Sequence, residues 1–266
     1  MVRGPGVDRA GAGGPERCGR QSVAGLVTRQ RGADVPRAVA SSERAHPRPR
    51  GPVAGASHGE RAVVRREPDG RWQIVADRFG SQQFNAPNDL VVAADGAIWF
   101  TDPRYGIDRP EEGYGGEVEI PGCRIYRIAP DGDVAAVSAP MPAPNGLAFS
   151  GDQQVLYVAD SEQGLILAFP VIGDRLGEPA EIVAPDEVGI PDGLRLDTDG
   201  RIWTSWGPQV RVYVPDGYDK AQFLGAIELP QTVSNLAFGG PDKGTLAITA
   251  TSGLHRVQTT VVGGGY

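Results

Sequence analysis

Pro144-Asn145-Gly146-Leu147-Ala148-Phe149 opens a short apolar run on a turn residue, an amide side chain and a glycine. The same design returns as Pro87-Asn88-Asp89-Leu90-Val91-Val92, as Pro191-Asp192-Gly193-Leu194-Arg195-Leu196 and, without the proline, as Asn235-Leu236-Ala237-Phe238. Each copy is followed by a turn and a second apolar run: Ile98–Asp102, Val155–Asp160, Ile202–Trp206 and Thr245–Thr249. The polar residues stand 57, 47 and 43 positions apart. A period of about 40–50 residues built only of short strands predicts an all-β fold, a β-propeller. Equivalent positions of successive blades face one central channel in that architecture. A repeated Asn or Asp at a strand mouth therefore becomes a ring of polar groups around the axis.

Outward from these segments the chain reads as hairpin after hairpin. Asp-Gly pairs recur at 69–70, 95–96, 131–132, 199–200 and 216–217, each between apolar runs, where a pair tolerant of the left-handed conformation suits a tight turn. No run of ten or more residues between 60 and 260 has helical periodicity. Four strands per blade give about 18–20 strands, or about five blades, over residues 58–262. A ring that closes with six needs one more, and the first 57 residues stand where it belongs.

Those 57 residues are of another character. They contain no Phe, Tyr or Trp and are dense in Arg, Gly, Ala and Pro. Such a stretch buries too little apolar surface to offset its ordering entropy. The expected organisation is a disordered, non-native lead over 1–57, of the kind that misreading the frame of a GC-rich gene yields, and a single propeller over 58–262. The lead holds ten Arg against Asp8, Glu16, Asp34 and Glu43, so the net charge of −7 conceals a strongly acidic body. An acidic body does not suit a phosphate backbone, and nucleic acid is excluded as a partner. No segment has the roughly 18–20 apolar residues of a membrane span. Cys18 and Cys123 form no CxxC pair or disulfide scaffold, and no secretory signal is evident, which together point to a soluble, cytoplasmic protein.

The ring residues offer oxygen donors: Asn88, Asn145, Asp192 and Asn235. Amide and carboxylate oxygens suit Ca²⁺, Mg²⁺ or Mn²⁺ and admit Zn²⁺. One such residue after a proline is an ordinary turn cap, but capping alone has no reason to choose this place in every blade. Asp102 and Asp160 end the second strands of their repeats and read as turn residues at the opposite rim. Residues 103–122 exceed a hairpin turn and read either as a lid or as an acidic surface loop. His46, His58 and His255 share no ligand spacing. No GxSxG motif is present, and Ser205 and Ser234 lack a visible base, which argues against a serine hydrolase.

The runs Asn85-Ala86-Pro87-Asn88-Asp89, Trp99-Phe100-Thr101-Asp102-Pro103-Arg104-Tyr105-Gly106, Pro144-Asn145-Gly146-Leu147 and Pro191-Asp192-Gly193-Leu194 resemble the SMP-30/gluconolactonase family of six-bladed propellers. The likeness covers residue 58 to about residue 260. It implies a metal-dependent hydrolase that opens a lactone or related ester. Asn145 and Asp192 would hold one divalent ion (Ca, Zn, Mn or Mg), Asp192 would also move protons as the catalytic residue, and Asn88 would meet substrate or metal. Two departures stand out. An Arg common two residues before the first Asn is here Ala86, and the first-blade Glu of a Glu-Gly-Pro motif has no counterpart. Alternatives on the same scaffold are an organophosphate hydrolase, whose phosphoryl oxygen the same ion would polarise, and a propeller that is not catalytic for want of that Glu.

Overall fold

The computed structural model describes residues 27–28, 44–47 and 53–264, the first two segments by their backbone alone. Among these residues five antiparallel blades are formed. Blade I runs through Arg44–Pro47, Val53–Ser57, Ala62–Arg66 and Trp72–Ala76. Blade II holds Leu90–Val92, Ile98–Asp102, Arg124–Ile128 and Val134–Ala136. Blade III holds Pro144–Phe149, Val155–Asp160, Leu165–Ile172 and Ala180–Val183. Blade IV holds Pro191–Leu196, Ile202–Trp206, Gln209–Pro215 and Ala221–Glu228. Blade V holds Val233–Gly239, Thr245–Ala250 and Gly253–Thr259, and its outermost strand is Val27–Thr28, which pairs with Thr259 and Gln258.

The propeller expectation holds, and the folded region reaches further back than His58. Val53–Ser57 pairs along its whole length with Ala62–Arg66, and Arg44–Pro47 pairs with it in turn. Alternation of small side chains is enough here, because the neighbouring strand supplies the hydrogen-bond ladder. The rest of the lead expected to be disordered lies outside the described residues, as does Cys18.

The core is a set of slabs between blades. Trp99, Val91, Leu147, Phe149, Leu156 and Val158 fill the gap between blades II and III. Phe100, Leu90, Phe84, Val63 and Tyr126 fill the one between I and II. Adjacent residues Trp99 and Phe100 thus serve opposite slabs, as the period of two requires. Both faces of a blade are covered, so the second strands read as unbroken apolar runs. Each large side chain buried in this way contributes about 1.5–3 kcal/mol. Trp99 meets Phe149 edge-on at 5.5 Å, and Trp203 meets Phe238 in the same way at 5.5 Å two blades on.

The Asp-Gly turns differ from the two-residue form. Gly70, Gly96, Gly132 and Gly200 have positive φ while the residues before them do not. Each glycine N–H closes on the carbonyl three residues back, as Gly96 does on Ala93 at 2.9 Å, and Ala93 N–H binds Ala97 O at 2.8 Å. This is a type I turn with a glycine bulge, a three-residue loop.

Candidate active site

The motif residues sit where the pairing slips. In blade III the register passes from Pro144↔Asp160 to Leu147↔Val158, and in blade IV from Pro191↔Trp206 to Leu194↔Thr204. Asn145-Gly146 and Asp192-Gly193 therefore lie in β-bulges, which re-aim a side chain out of the normal alternation. The glycines follow for a packing reason. A Cβ on Gly146 would lie 2.4 Å from the Asp192 carbonyl oxygen, and one on Gly193 would lie 2.1 Å from Asn235 Oδ1. Innermost strands of adjacent blades approach too closely for any side chain there.

At the rim a chain of hydrogen bonds crosses four blades. Ser161 Oγ donates to Pro191 O at 2.7 Å, and a carbonyl can only accept. Ser161 thus receives Asn145 Nδ2 at 2.9 Å, which turns Asn145 Oδ1 toward Asn88 Nδ2 at 2.5 Å. Asn88 Oδ1 in turn faces His58 Nε2 at 3.0 Å, so that nitrogen carries the proton. Every member is oriented by the next, and bonds aligned in one sense polarise one another. Thr101 fastens the chain from behind, donating through Oγ1 to Asn145 O at 2.7 Å while its carbonyl accepts Asn88 N–H at 2.9 Å.

Two buried carboxylates support this rim. Asp102 accepts the N–H groups of Asn85 at 2.9 Å and Ala86 at 2.8 Å, holding the loop that carries Asn88. Asp160 accepts Ala143 N–H at 3.4 Å and Gln163 N–H at 3.0 Å, holding the approach to Asn145. Their expected place at the opposite rim is corrected: the end of a second antiparallel strand lies beside the start of the first. Burial pushes the Asp102 carboxyl up to about 7, against the pull of the two N–H groups and of Arg61 and Arg124.

Residues 103–122 form neither a plain loop nor a free lid. They include two short helices, α1 (Tyr105–Asp108) and α2 (Pro110–Gly113). A Cβ on Gly106 would lie 2.9 Å from His58 Cβ and 3.1 Å from Ala86 Cβ, and one on Gly113 would lie 2.4 Å from Gly106 Cα. The insert is thus bolted onto the rim, and Tyr105 reaches Asn145 Nδ2 at 3.5 Å and Ala143 O at 3.4 Å. Burial, aided by the nearby charge of Asp192, raises the Tyr105 phenol above its ordinary range.

Asp192 is partly exposed, with its N–H bound to Ser205 Oγ at 3.1 Å. Ser205 is spent on backbone groups, as it also donates to Gly193 O at 3.2 Å. Asn235 Oδ1 turns back to accept Leu236 N–H at 2.8 Å. Beneath the rim, Arg195 reaches from blade IV to Asp89 of blade II at 3.1 Å. His255 lies on the third strand of blade V, away from the inner strands. Among the described residues no three His, Cys, Asp or Glu side chains gather. A cation here would rely on amide oxygens and one carboxylate. That set fits a hard divalent ion in chemistry, since amide and carboxylate oxygens are the donors such an ion takes.

Residues 27–252 match the family described as SMP-30/Gluconolactonase/LRE-like region. The chain belongs to this family. Within the SMP-30/gluconolactonase family it is 33% identical over 229 residues to the gluconolactonase of Zymomonas mobilis, covering 81% of this chain and 62% of that protein. It is 31% identical over 138 residues to pentonolactonase XacC of Haloferax volcanii, covering 50% of this chain and 46% of that one. The chain thus spans less than two thirds of either relative. Among solved structures, the X-ray structure of a protein described as a putative gluconolactonase superposes with a TM-score of 0.73 at 42% identity, over 81% of this chain and 73% of that one. A gluconolactonase from Xanthomonas campestris gives 0.72 at 37%, over 78% and 68%.

The structure brings Asn88 and Asn145 into contact, sets Tyr105 against Asn145, and places the Asp192 backbone against Gly146 in the next blade's bulge. His58, Tyr105 and Ser161 went unread as site residues in this family member. His58 has no periodic counterpart, although it stands where the family likeness begins. Tyr105 lay inside one of the quoted runs, and only the fold shows that its insert turns inward.

Proposed function

We propose that this chain is a lactone hydrolase that opens a cyclic ester to a hydroxy acid at the rim formed by Asn88, Asn145 and Asp192. The observation that carries the reading is the direct contact of the Asn88 and Asn145 amides, from separate blades, with the partly exposed Asp192 in the matching bulge of the next blade, its carbonyl oxygen against Gly146. The relatives named gluconolactonase and pentonolactonase support the class of substrate. Asn88, Asn145 and Asp192 would hold one divalent ion, which when bound would polarise the lactone carbonyl and acidify water. Asp192 takes the proton of the attacking water, while the amides, held by His58, Thr101 and Ser161, keep a fixed polar wall with no reorganisation during reaction. Ala86 is buried under α1, so the wall has no guanidinium at that point, which favours lactones with fewer hydroxyl contacts than gluconolactone.

The test is a panel of γ- and δ-lactones, with a phosphotriester in parallel, assayed after chelation and readdition of Ca²⁺, Mn²⁺, Zn²⁺ or Mg²⁺. Asp192→Asn is expected to lower kcat/KM for the best lactone by about 10²–10⁴-fold. Equal rates for the two proteins, or turnover of the phosphotriester alone, would refute the assignment.

A further inference from the structure

The last stretch of chain before Asp192 carries two aliphatic side chains in the open. Residues 184–190 lead from the outermost strand of blade III to the innermost strand of blade IV, so they run inward along the rim and end at the bulge that holds Asp192. Val188 is 46% exposed and Ile190 is 52% exposed. Between and after them, Gly189 lies against Gly207, where a Cβ would come within 2.6 Å of the Gly207 Cα, and Pro191 is buried. Two residues of chain span at most about 7 Å, so Ile190 stands within that reach of Asp192, with Val188 one step farther out. The Ile190 side chain leans toward blade III: its Cγ2 lies 3.7 Å from the place of a Cβ on Gly164, in the turn that Ser161 opens.

Both ends of the segment are pinned. Asp186 accepts Val188 N–H at 2.9 Å and Trp206 Nε1 at 3.0 Å, and pairs with Arg211. Gly207 N–H donates to Ile190 O at 3.2 Å, and Pro191 O accepts Ser161 Oγ at 2.7 Å. A single exposed aliphatic residue is ordinary on a surface. Two of them, fixed in file and ending at the site carboxylate, offer apolar surface that a bound molecule covers without first ordering a loop.

We propose that Val188 and Ile190 select the substrate by receiving the alkyl tail of a lactone whose ring lies at Asp192. The inference rests on the lactone-hydrolase reading given above and names its substrate class: lactones with an alkyl chain on the ring carbon next to the ring oxygen. Ala86 acts in the same direction, since its buried methyl offers no polar group to a hydroxylated ring. The tail meets Ile190 first and reaches Val188 only when it is longer.

The experiment measures kcat/KM on δ-valerolactone, δ-hexalactone, δ-octalactone and δ-decalactone, with each of Ca²⁺, Mn²⁺, Zn²⁺ and Mg²⁺ present. These share one ring and carry no tail, a methyl, a propyl and a pentyl chain. On a half-open shelf each carbon leaving water should gain about twofold, so wild type is expected to prefer δ-decalactone to δ-valerolactone by about tenfold or more. Ile190→Ser is expected to cut that preference by about five- to tenfold, Ile190→Leu to keep it, and Val188→Ser to lower it for the pentyl chain alone. Should Ile190→Ser fail to fold, Val188→Ser carries the test by itself. An equal loss on every lactone marks Ile190 as a structural residue and overturns the proposal, as does an unchanged preference. If the two side chains cover a second copy of the chain instead, Ile190→Ser shifts the sedimentation of the protein and leaves the lactone ratio at its wild-type value, which also overturns it. A wild type inactive on every lactone brings down the lactone-hydrolase reading and this one together, whereas an active wild type without preference for the tail removes this one alone.

Discussion

Blades III and IV carry nearly the same opening, Pro-Asn-Gly and Pro-Asp-Gly, in the same bulge, yet their second strands end differently. Asp160 pairs with Pro144, and in the equivalent place Trp206 pairs with Pro191. Blade II sides with blade III, since Asp102 lies under the Asn88 loop. Where the rim residue is a neutral amide, a buried carboxylate gathers the backbone N–H groups of its loop. Where the rim residue is itself Asp192, that place holds an indole, which donates to Asp186 at 3.0 Å and lies under the Arg211 guanidinium at 4.8 Å. A second carboxylate so close would oppose ionisation of the first. On the function proposed above, the difference leaves Asp192 to accept a proton while the amides on the neighbouring blades are held still.

The strongest way to break this contrast is to remove a brace. Asp102→Ala orphans two buried N–H groups, at a cost of about 1–3 kcal/mol each, and Asp102→Asn is expected to cost less because one acceptor survives. Chemical unfolding curves measure both, and an unchanged midpoint in the alanine variant would show that the loop stands without the carboxylate. Lactone opening should fall in the same order as stability, since the loop presents Asn88.

The same residue sharpens the contrast through pH. Its folded pKa of about 7 lies above the ordinary 3.8, so the folded state binds more protons than the unfolded state between those values. The stabilisation is complete below about pH 4 and is lost as pH climbs toward 7. The slope is at most about 1.4 kcal/mol per pH unit. Thermal melts from pH 4 to 8 should show wild type losing ground relative to Asp102→Asn across that window, and parallel profiles would contradict it.

A smaller effect separates the two rim glycines. An alanine at 146 drives its methyl into the backbone oxygen of Asp192, which no rotamer relieves, and should cost about 1–3 kcal/mol and displace the carboxylate. An alanine at 193 meets first the side-chain oxygen of Asn235, which can swing away, so the loss is less. Melting and lactone turnover measured on both variants test the order.

Much of this was legible from the chain. The blades and Asp-Gly turns were readable because period and turn chemistry are local, although the turn type was not, since only the glycine of each pair enters the left-handed region. The meeting of Asn88 with Asn145 was readable because a repeat in sequence is a rotation about an axis in space. His58, Tyr105 and Ser161 were hidden because each comes from a stretch the repeat does not predict. Asp102 and Asp160 were visible but assigned to the wrong rim, which the reversal of direction in a hairpin puts right. The start of blade I was hidden because Gly, Ala and Pro dominate it, and its order comes from pairing with residues further on.

The bond from Arg195 to Asp89 is a chord drawn across a hoop. It ties blade IV to blade II and passes over blade III between them. The Asp89 side chain is wholly buried, and leaving such a charge without its partner costs about 3–5 kcal/mol. Blades II and IV therefore cannot spread to let blade III peel away without also cutting the chord. Unfolding of that segment becomes an event shared by three blades, and the diameter of the opening beneath the rim is fixed from within.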